Sequence, residues 1–307
     1  MFSRRFLRIK VVKALYAQLT GAVETATIEE KNLLKGINKS YDLYPHILSL
    51  IVEVKRYAEE RIELGLKKHL PTAADLNPNR KFVQNAVIAS LESDDTLDMM
   101  LLERKLGWAG YPELIKHLYQ KMTEADYYKE YMASETSSYE EDKELWRKLY
   151  KTFVFDNEEL DALLEEQSLY WNDDKSIIDT FVLKTIKRFE EENGAAQQLL
   201  PEYKDAADMD FASRLFRAAI ANADEYRLMM SECSKNWDMQ RLAFMDVVIM
   251  QAAIAEVMTF GDIPLSVTLN EYVEIAKHYS TVKSGSFVNG LLDSITKKLR
   301  SSGKINK

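Results

Sequence analysis

Apolar residues recur at three- and four-residue intervals along almost the whole chain, and no alternating run of useful strand length interrupts them. The spacing predicts a first helix over 4–20, with Phe6, Ile9, Leu15 and Tyr16 set around it. Further helices are expected near 43–64, 79–91, 111–121, 138–153, 157–170 and 175–192. Ser138 with Glu141 has the form of a capping box, and Asp156 with Glu159 suggests a similar start. Breaks fall at Pro71, at Asn77-Pro78-Asn79, and across Gly107, Gly110 and Pro112.

Residues 193–208 read as a connection, followed by a long amphipathic helix over 209–234. Phe211, Leu215, Phe216, Ala219, Ala223 and Tyr226 form its apolar face. Asp238 is placed to cap the next helix, 239–259. The centre of that helix is apolar almost all round, the pattern of a helix buried on several sides. From about 265 another helix puts Leu269, Val273 and Ala276 on one stripe, with Tyr272 beside it. Asn270, Glu271 and Glu274 fall towards its polar sides. The last helix places Phe287, Leu291 and Ile295 on a core stripe. Gly290 within it costs about 1 kcal/mol of helix propensity against alanine, which implies close approach by another helix or a ligand.

Composition narrows the class. A length of 307 residues suggests about two domains. Ten glycines and six prolines are too few for an all-β protein with many tight turns. No run reaches the roughly 18 uninterrupted apolar residues of a membrane span. The opening segment is basic and then apolar, but Lys10 and Lys13 interrupt any signal-peptide core, so it reads as a mature amphipathic helix. Cys233 is the only cysteine, which rules out an intrachain disulfide and fits a reducing compartment such as the cytoplasm.

The net charge of −8 is unevenly spread. Residues 1–20 hold five basic side chains and no acid, residues 21–205 are strongly acidic, and the remainder balances. Arg4, Arg5, Arg8, Lys10 and Lys13 are therefore a candidate phosphate-binding set. Arginines in a first turn oppose the helix dipole by about 0.3–1 kcal/mol, an argument for an anion there; the alternative is a solvated basic face, or pairing with the chain's own acidic middle. Two other basic groups, Lys67, Lys68, Arg80 and Lys81 in the middle and Lys297, Lys298, Arg300, Lys304 and Lys307 at the far end, are further candidates.

Two blocks carry more than periodicity. The run IPLSVTLNEYVEIAK (263–277), then HYSTVKSG, then SFVNGLLD (286–293) resembles the C-terminal signature of the NusB family of transcription antitermination factors. Arg4, Arg5, Arg8 and Ala14-Leu15-Tyr16 resemble that family's basic first helix. The resemblance covers some 40% of the chain and implies an all-α fold. It also implies single-stranded boxA-like RNA on the first helix, and a contact surface for NusE, a small-subunit ribosomal protein, at Asn270, Glu271, Glu274, Lys283, Phe287 and Asn289. Val282-Lys283 departs from the family pattern, since acidic residues often stand there.

Catalysis finds no footing. The four histidines have no ligand-spaced neighbours, no Gly-rich phosphate loop is present, and no cofactor or metal is expected. Adjacent acids such as Glu165-Glu166 diverge on a helix and cannot share a reacting atom. The expected fold is all-α: a discontinuous NusB-like bundle of 1–25 and 206–302, interrupted by an acidic helical insertion, 26–205, with a basic tail, 303–307. The expected role is non-enzymatic, joining boxA-like RNA and NusE on the transcribing RNA polymerase complex, away from any membrane. The alternative is a protein-interaction adaptor that keeps the fold and uses the acidic insertion.

Overall fold

The structure, a computed structural model, describes residues 2–136, 138–171, 173–234 and 242–306. Among these residues every regular element is helical. In chain order they are α1 (Arg4–Leu19), α2 (Ala26–Leu66), α3 (Ala73–Leu76), α4 (Ala86–Glu92), α5 (Asp95–Arg104), α6 (Pro112–Glu124), α7 (Asp126–Ala133) and α8 (Tyr139–Phe153). Then follow α9 (Glu158–Gln167), α10 (Lys175–Arg188), a 3-10 turn at Glu191–Asn193, α11 (Ala206–Ala221), α12 (Ala223–Cys233), α13 (Phe244–Thr259), α14 (Leu265–Tyr279) and α15 (Ser284–Ser301). The all-α class is as the spacing implies.

The chain divides into two compact units, one of residues up to 37 together with those from 202 onward, the other of 38–201. The first division thus falls about a dozen residues later than the expected 25/26. The cause lies at the start of α2, where Leu33 and Ile37 are buried and Glu30 accepts hydrogen bonds from Ser213 and Arg217 on α11. At the other division, the Phe2 N–H donates to the Glu202 carbonyl at 2.8 Å. Helix α2 is continuous for 41 residues although Pro45 lies inside it. Proline removes one rung of the helical ladder, but Leu43, Tyr44, Ile47 and Leu48 around it are fully buried and hold the helix through the gap.

In the first unit α13 is the central helix. It packs against α1, α11, α12, α14 and α15, and every residue from Val248 to Val257 is buried. The single helix expected over 209–234 is two, α11 and α12, parted at Asn222, whose amide donates back to the Ala218 carbonyl at 3.0 Å. Asp238, the expected cap of α13, lies outside the described residues. The buried stripe of α14 is Leu265, Thr268, Tyr272, Ile275 and Ala276, with Leu269 and Val273 only half-buried. The helix is rotated from the expected setting because Thr268 and Tyr272 turn their hydroxyls inward to a buried carboxylate. Gly290 is exposed and a Cβ there would meet open space, so no helix presses on it. The close approach is at Gly285, where a Cβ would lie 2.7 Å from Lys277 Cγ.

In the second unit, Ser138 and Glu141 form the reciprocal capping box at the start of α8. Asp156 does not cap α9. It adopts a left-handed φ of 49°, and Asn157 caps instead, accepting from the Leu160 N–H at 3.0 Å. The helix expected from 79 starts only at Ala86, because the Asn85 side chain accepts from the N–H groups of Val87 and Ile88 and sets its first turn there. The core includes His46, stacked flat on Trp108 with ring centroids 4.0 Å apart. Trp108 Nε1 donates to the His46 carbonyl at 2.8 Å.

Burial pushes the His46 imidazole down from 6.5 to about 4, against a smaller opposing effect of Gln167. The unfolded chain therefore binds the His46 proton in a pH range where the folded chain does not. Stability is full above about pH 6.5 and falls as the pH drops towards 4, by up to about 3 kcal/mol from this group. His46→Phe should remove that contribution. Urea midpoints measured at pH 7, 5.5 and 4 should fall more steeply for the native chain than for the variant.

Candidate nucleic-acid interface

Ser3 caps α1, its hydroxyl accepting from the Phe6 N–H at 3.3 Å. The cap fixes which residues of the first two turns face inward. Arg8 is among them, only 2% exposed. Its Nε and Nη2 donate to both carboxylate oxygens of Glu256 on α13, each at 2.7 Å. Glu256 is itself fully buried and also accepts from Thr268 Oγ1 at 2.8 Å and Tyr272 Oη at 3.1 Å. Burial pulls the Arg8 guanidinium towards its neutral form, and the Glu256 hydrogen bond and charge override it, so its pKa is raised. Arg8 is thus withdrawn from the candidate phosphate-binding set: a buried, bidentately held guanidinium presents nothing to an external anion.

The other two arginines also find carboxylates within the chain. Arg4 Nε donates to Asp208 on α11 at 2.8 Å, with Asp262 3.8 Å from its Nη1. Arg5 makes a bidentate pair with Glu271 on α14, at 2.7 and 2.8 Å. The anion that the cationic first turn calls for is therefore supplied internally. The three pairs are unequal, however. Arg5 is half exposed, at 52% of its side chain, and α1 carries it on the solvent side.

Farther along α1 the surface changes character. Lys10 Nζ lies 5.1 Å from the Phe6 ring, and Lys13 Nζ lies 5.5 Å from the ring of Tyr279, the last residue of α14. Tyr16, one turn beyond Lys13, is 39% exposed and meets Phe244, itself 41% exposed, edge-on at 5.4 Å. Phe6, the other aromatic of α1, is buried and stacked on Phe2. Arg5, Lys13 and Tyr16 recur at near-helical spacing, so one side of α1 presents a strip about 16 Å long at 1.5 Å per residue. Cations mark its length and three exposed aromatic rings its far end. Such a strip offers charge for phosphates and π-faces for unstacked bases. Phe244 and Tyr279 escape a reading of spacing alone, because each stands singly at a helix end where no periodic pattern marks it.

The candidate partner surface occupies α14 and the start of α15. Asn270 is exposed, Glu271 is half-buried under Arg5, and Glu274 bonds Lys277 at 2.6 Å. Lys283 is the exposed N-cap residue of α15. Phe287 is half-buried and Asn289 exposed. Val267, at 43% exposure, adds an apolar element beside Asn270 and Glu271. The remaining basic candidates are largely engaged: Lys68 with Asp75, Arg80 with Glu63, Lys297 with Asp293, Lys298 with Glu232 and Lys304 with Glu225. Lys81 donates to the carbonyls of Ser134 and Thr136, and Lys307 lies outside the described residues. No helix among the described residues is long and apolar enough to cross a membrane.

An all-α bundle, locked at its centre by a buried arginine–glutamate pair and faced by a cationic, aromatic first helix, defines the class. The sequence profile of the NusB family matches residues 180–297. The transcription antitermination protein NusB of Salinibacter ruber is 36% identical over 132 residues, which cover 41% of this chain and 82% of that protein. The NusB protein of Geotalea daltonii is 34% identical over 133 residues, 43% of this chain and 89% of that protein. A crystal structure of T. maritima NusB is 31% identical and covers 40% of this chain and 87% of that one, with a TM-score of 0.31. The chain belongs to the NusB family.

Removing one partner of a buried pair leaves the other charge uncompensated, at about 3–5 kcal/mol. Glu256→Gln keeps one acceptor oxygen, enough for Thr268 or Tyr272 but not both, and strands Arg8, so it should lower unfolding free energy by about that amount. Arg8→Met in the Glu256→Gln background should cost far less than Arg8→Met alone. A double-mutant cycle by urea denaturation measures the coupling.

Proposed function

We propose that this chain is a non-enzymatic, RNA-binding transcription antitermination factor, with single-stranded boxA-like RNA laid along α1 and NusE docked on α14 and α15. The observation that carries this reading is the exposed strip from Arg5 to Tyr16, completed by Phe244 and Tyr279. Exposed aromatic rings gathered at one place from α1, α13 and α14 are costly to solvent and useful to bases. Family membership supports the same reading, since the curated relatives are named transcription antitermination proteins. On this reading residues 38–201 are an insertion within a NusB-like domain, and the protein works in the cytoplasm on the transcribing polymerase complex.

The charges on α1 set the expected strength. With Arg8 withdrawn, at most Arg4, Arg5, Lys10 and Lys13 of α1 meet phosphates, and the contribution of α1 to the salt slope for single-stranded RNA is about −2.8. Affinity from so few contacts is modest and salt-sensitive, and a protein partner is needed to reach specificity. Asn270, Val267 and Asn289 offer neutral contacts to NusE, and Lys283 offers a cation where the family often has an acid.

Fluorescence anisotropy with a boxA-like RNA, with and without NusE, across a salt series tests the proposal. Binding should tighten with NusE, weaken with salt and disappear on scrambling the RNA. Stacking is worth about 1–3 kcal/mol per base. Tyr16→Ala with Phe244→Ala should therefore weaken binding at least five-fold, with the chain still folded at the assay temperature and its thermal midpoint lowered by several degrees. Equal affinity for the scrambled RNA, or no loss in the double variant, would overturn the assignment of the strip.

A further inference from the structure

The second unit holds a concavity of about 740 Å³ between the end of α10 and the turn that follows it, lined by Lys184, Lys187, Arg188, Glu190, Asn193 and Gln198. Three cations and one acid face it, in a unit whose overall charge is strongly acidic. Elsewhere in this unit cations are mostly matched to carboxylates: Lys55 to Glu59 and Glu92, Arg56 to Glu53 and Glu92, Lys175 to Asp161 and Asp179. At this concavity Arg188 donates to the amide oxygen of Gln198 at 3.3 Å, and among the described residues no carboxylate pairs with it. The α10 dipole favours Lys187 and Arg188 in the last turn, but a helix end carries only about half a charge. With Glu190 as the one lining carboxylate, a net positive charge remains.

The opposite wall is built in advance. Gln197 is buried, accepts from the Glu190 N–H at 3.2 Å and donates to the carbonyls of Glu190 and Gly194 at 2.8 and 2.9 Å. Gly194 adopts a φ of +51°, which turns the chain back towards α10. The side-chain amides of Asn193 and Gln198 therefore stand across from the cations on a fixed loop. Cations on α10, with the amides of Asn193 and Gln198 and the single carboxylate of Glu190 beyond it, leave a net positive lining that suits a phosphodiester strand whose sugars and base edges need hydrogen bonds.

We propose that this concavity is a second RNA-binding site, in which Lys184, Lys187 and Arg188 take backbone phosphates and Asn193 and Gln198 contact the adjoining nucleotide. The proposal extends the RNA-binding reading and rests on it for the choice of RNA as the anion. It gives the middle of the chain a role: lengthening the track of RNA that one molecule holds.

The test uses the full chain and a 4-thiouridine-substituted oligouridylate, with crosslinked peptides mapped and anisotropy read across a salt series. Crosslinks should fall on the segment containing 184–198. K184Q/K187Q/R188Q should flatten the salt slope by about 2, at roughly 0.7 per lost phosphate contact, and should remove those crosslinks. If that triple variant keeps both slope and crosslinks while Arg5→Gln with Lys13→Gln weakens binding, the second site is wrong and the α1 reading stands. If the triple variant loses binding while the α1 variant does not, the second site stands and the α1 reading fails. A native chain that binds no oligouridylate overturns the second site. Polyglutamate displacing the 184–198 crosslinks as well as unlabelled RNA would also overturn it, assigning the cavity to an acidic protein.

Discussion

One buried ion pair governs the first unit. Arg8 and Glu256 lie 248 residues apart, and their bidentate contact fastens the first helix to the central one. Isolated, either charge would be intolerable in that interior. Together, with Thr268 and Tyr272 satisfying the remaining lone pairs, they form a closed polar network in an apolar bundle. The network also fixes the rotation of α14. With Thr268 and Tyr272 turned inward, helical geometry sends Val267, Asn270 and Glu274 outward and sets Glu271 at the edge beside Arg5. The interior thereby determines what the candidate partner surface displays.

The same network explains a division of labour along α1. At the start of the helix the guanidinium groups meet carboxylates from α11, α13 and α14, and the basic turn is largely neutralised by the fold. Towards its end the helix presents Lys13 and Tyr16 beside Phe244 and Tyr279. On the proposed reading a single-stranded polyanion would meet moderate charge and then π-faces, a combination suited to a flexible strand and not a duplex.

Much of this was legible from residue order, and the misses have identifiable causes. The all-helical class, the central helix and the Ser138–Glu141 cap follow from spacing and local chemistry, which act over a few residues. The burial of Arg8 does not, because nothing near it in the chain foretells a carboxylate on α13. The rotation of α14 is missed for the same reason: on periodicity Leu269 and Val273 outrank Thr268, and only the buried Glu256 reverses that order. Phe244 and Tyr279 stand alone in the sequence and become a surface feature only when α1 is laid beside them. At Asn222 the amide-to-carbonyl bond parts two helices whose apolar residues run on as though they were one.

The two-unit arrangement bears on the order in which the protein is made. Residues 38–201 form a unit from one continuous stretch, whereas the first unit needs its opening 37 residues and those from 202 onward. During synthesis at about 5–20 residues per second, Arg8 leaves the ribosome roughly 10–50 s before Glu256 exists to receive it. Through that interval α1 is an unpaired, cationic, amphipathic segment, while the acidic stretch behind it has everything it needs to fold. The bundle closes only when α13 arrives, so the last third of the chain decides when the first helix is stowed.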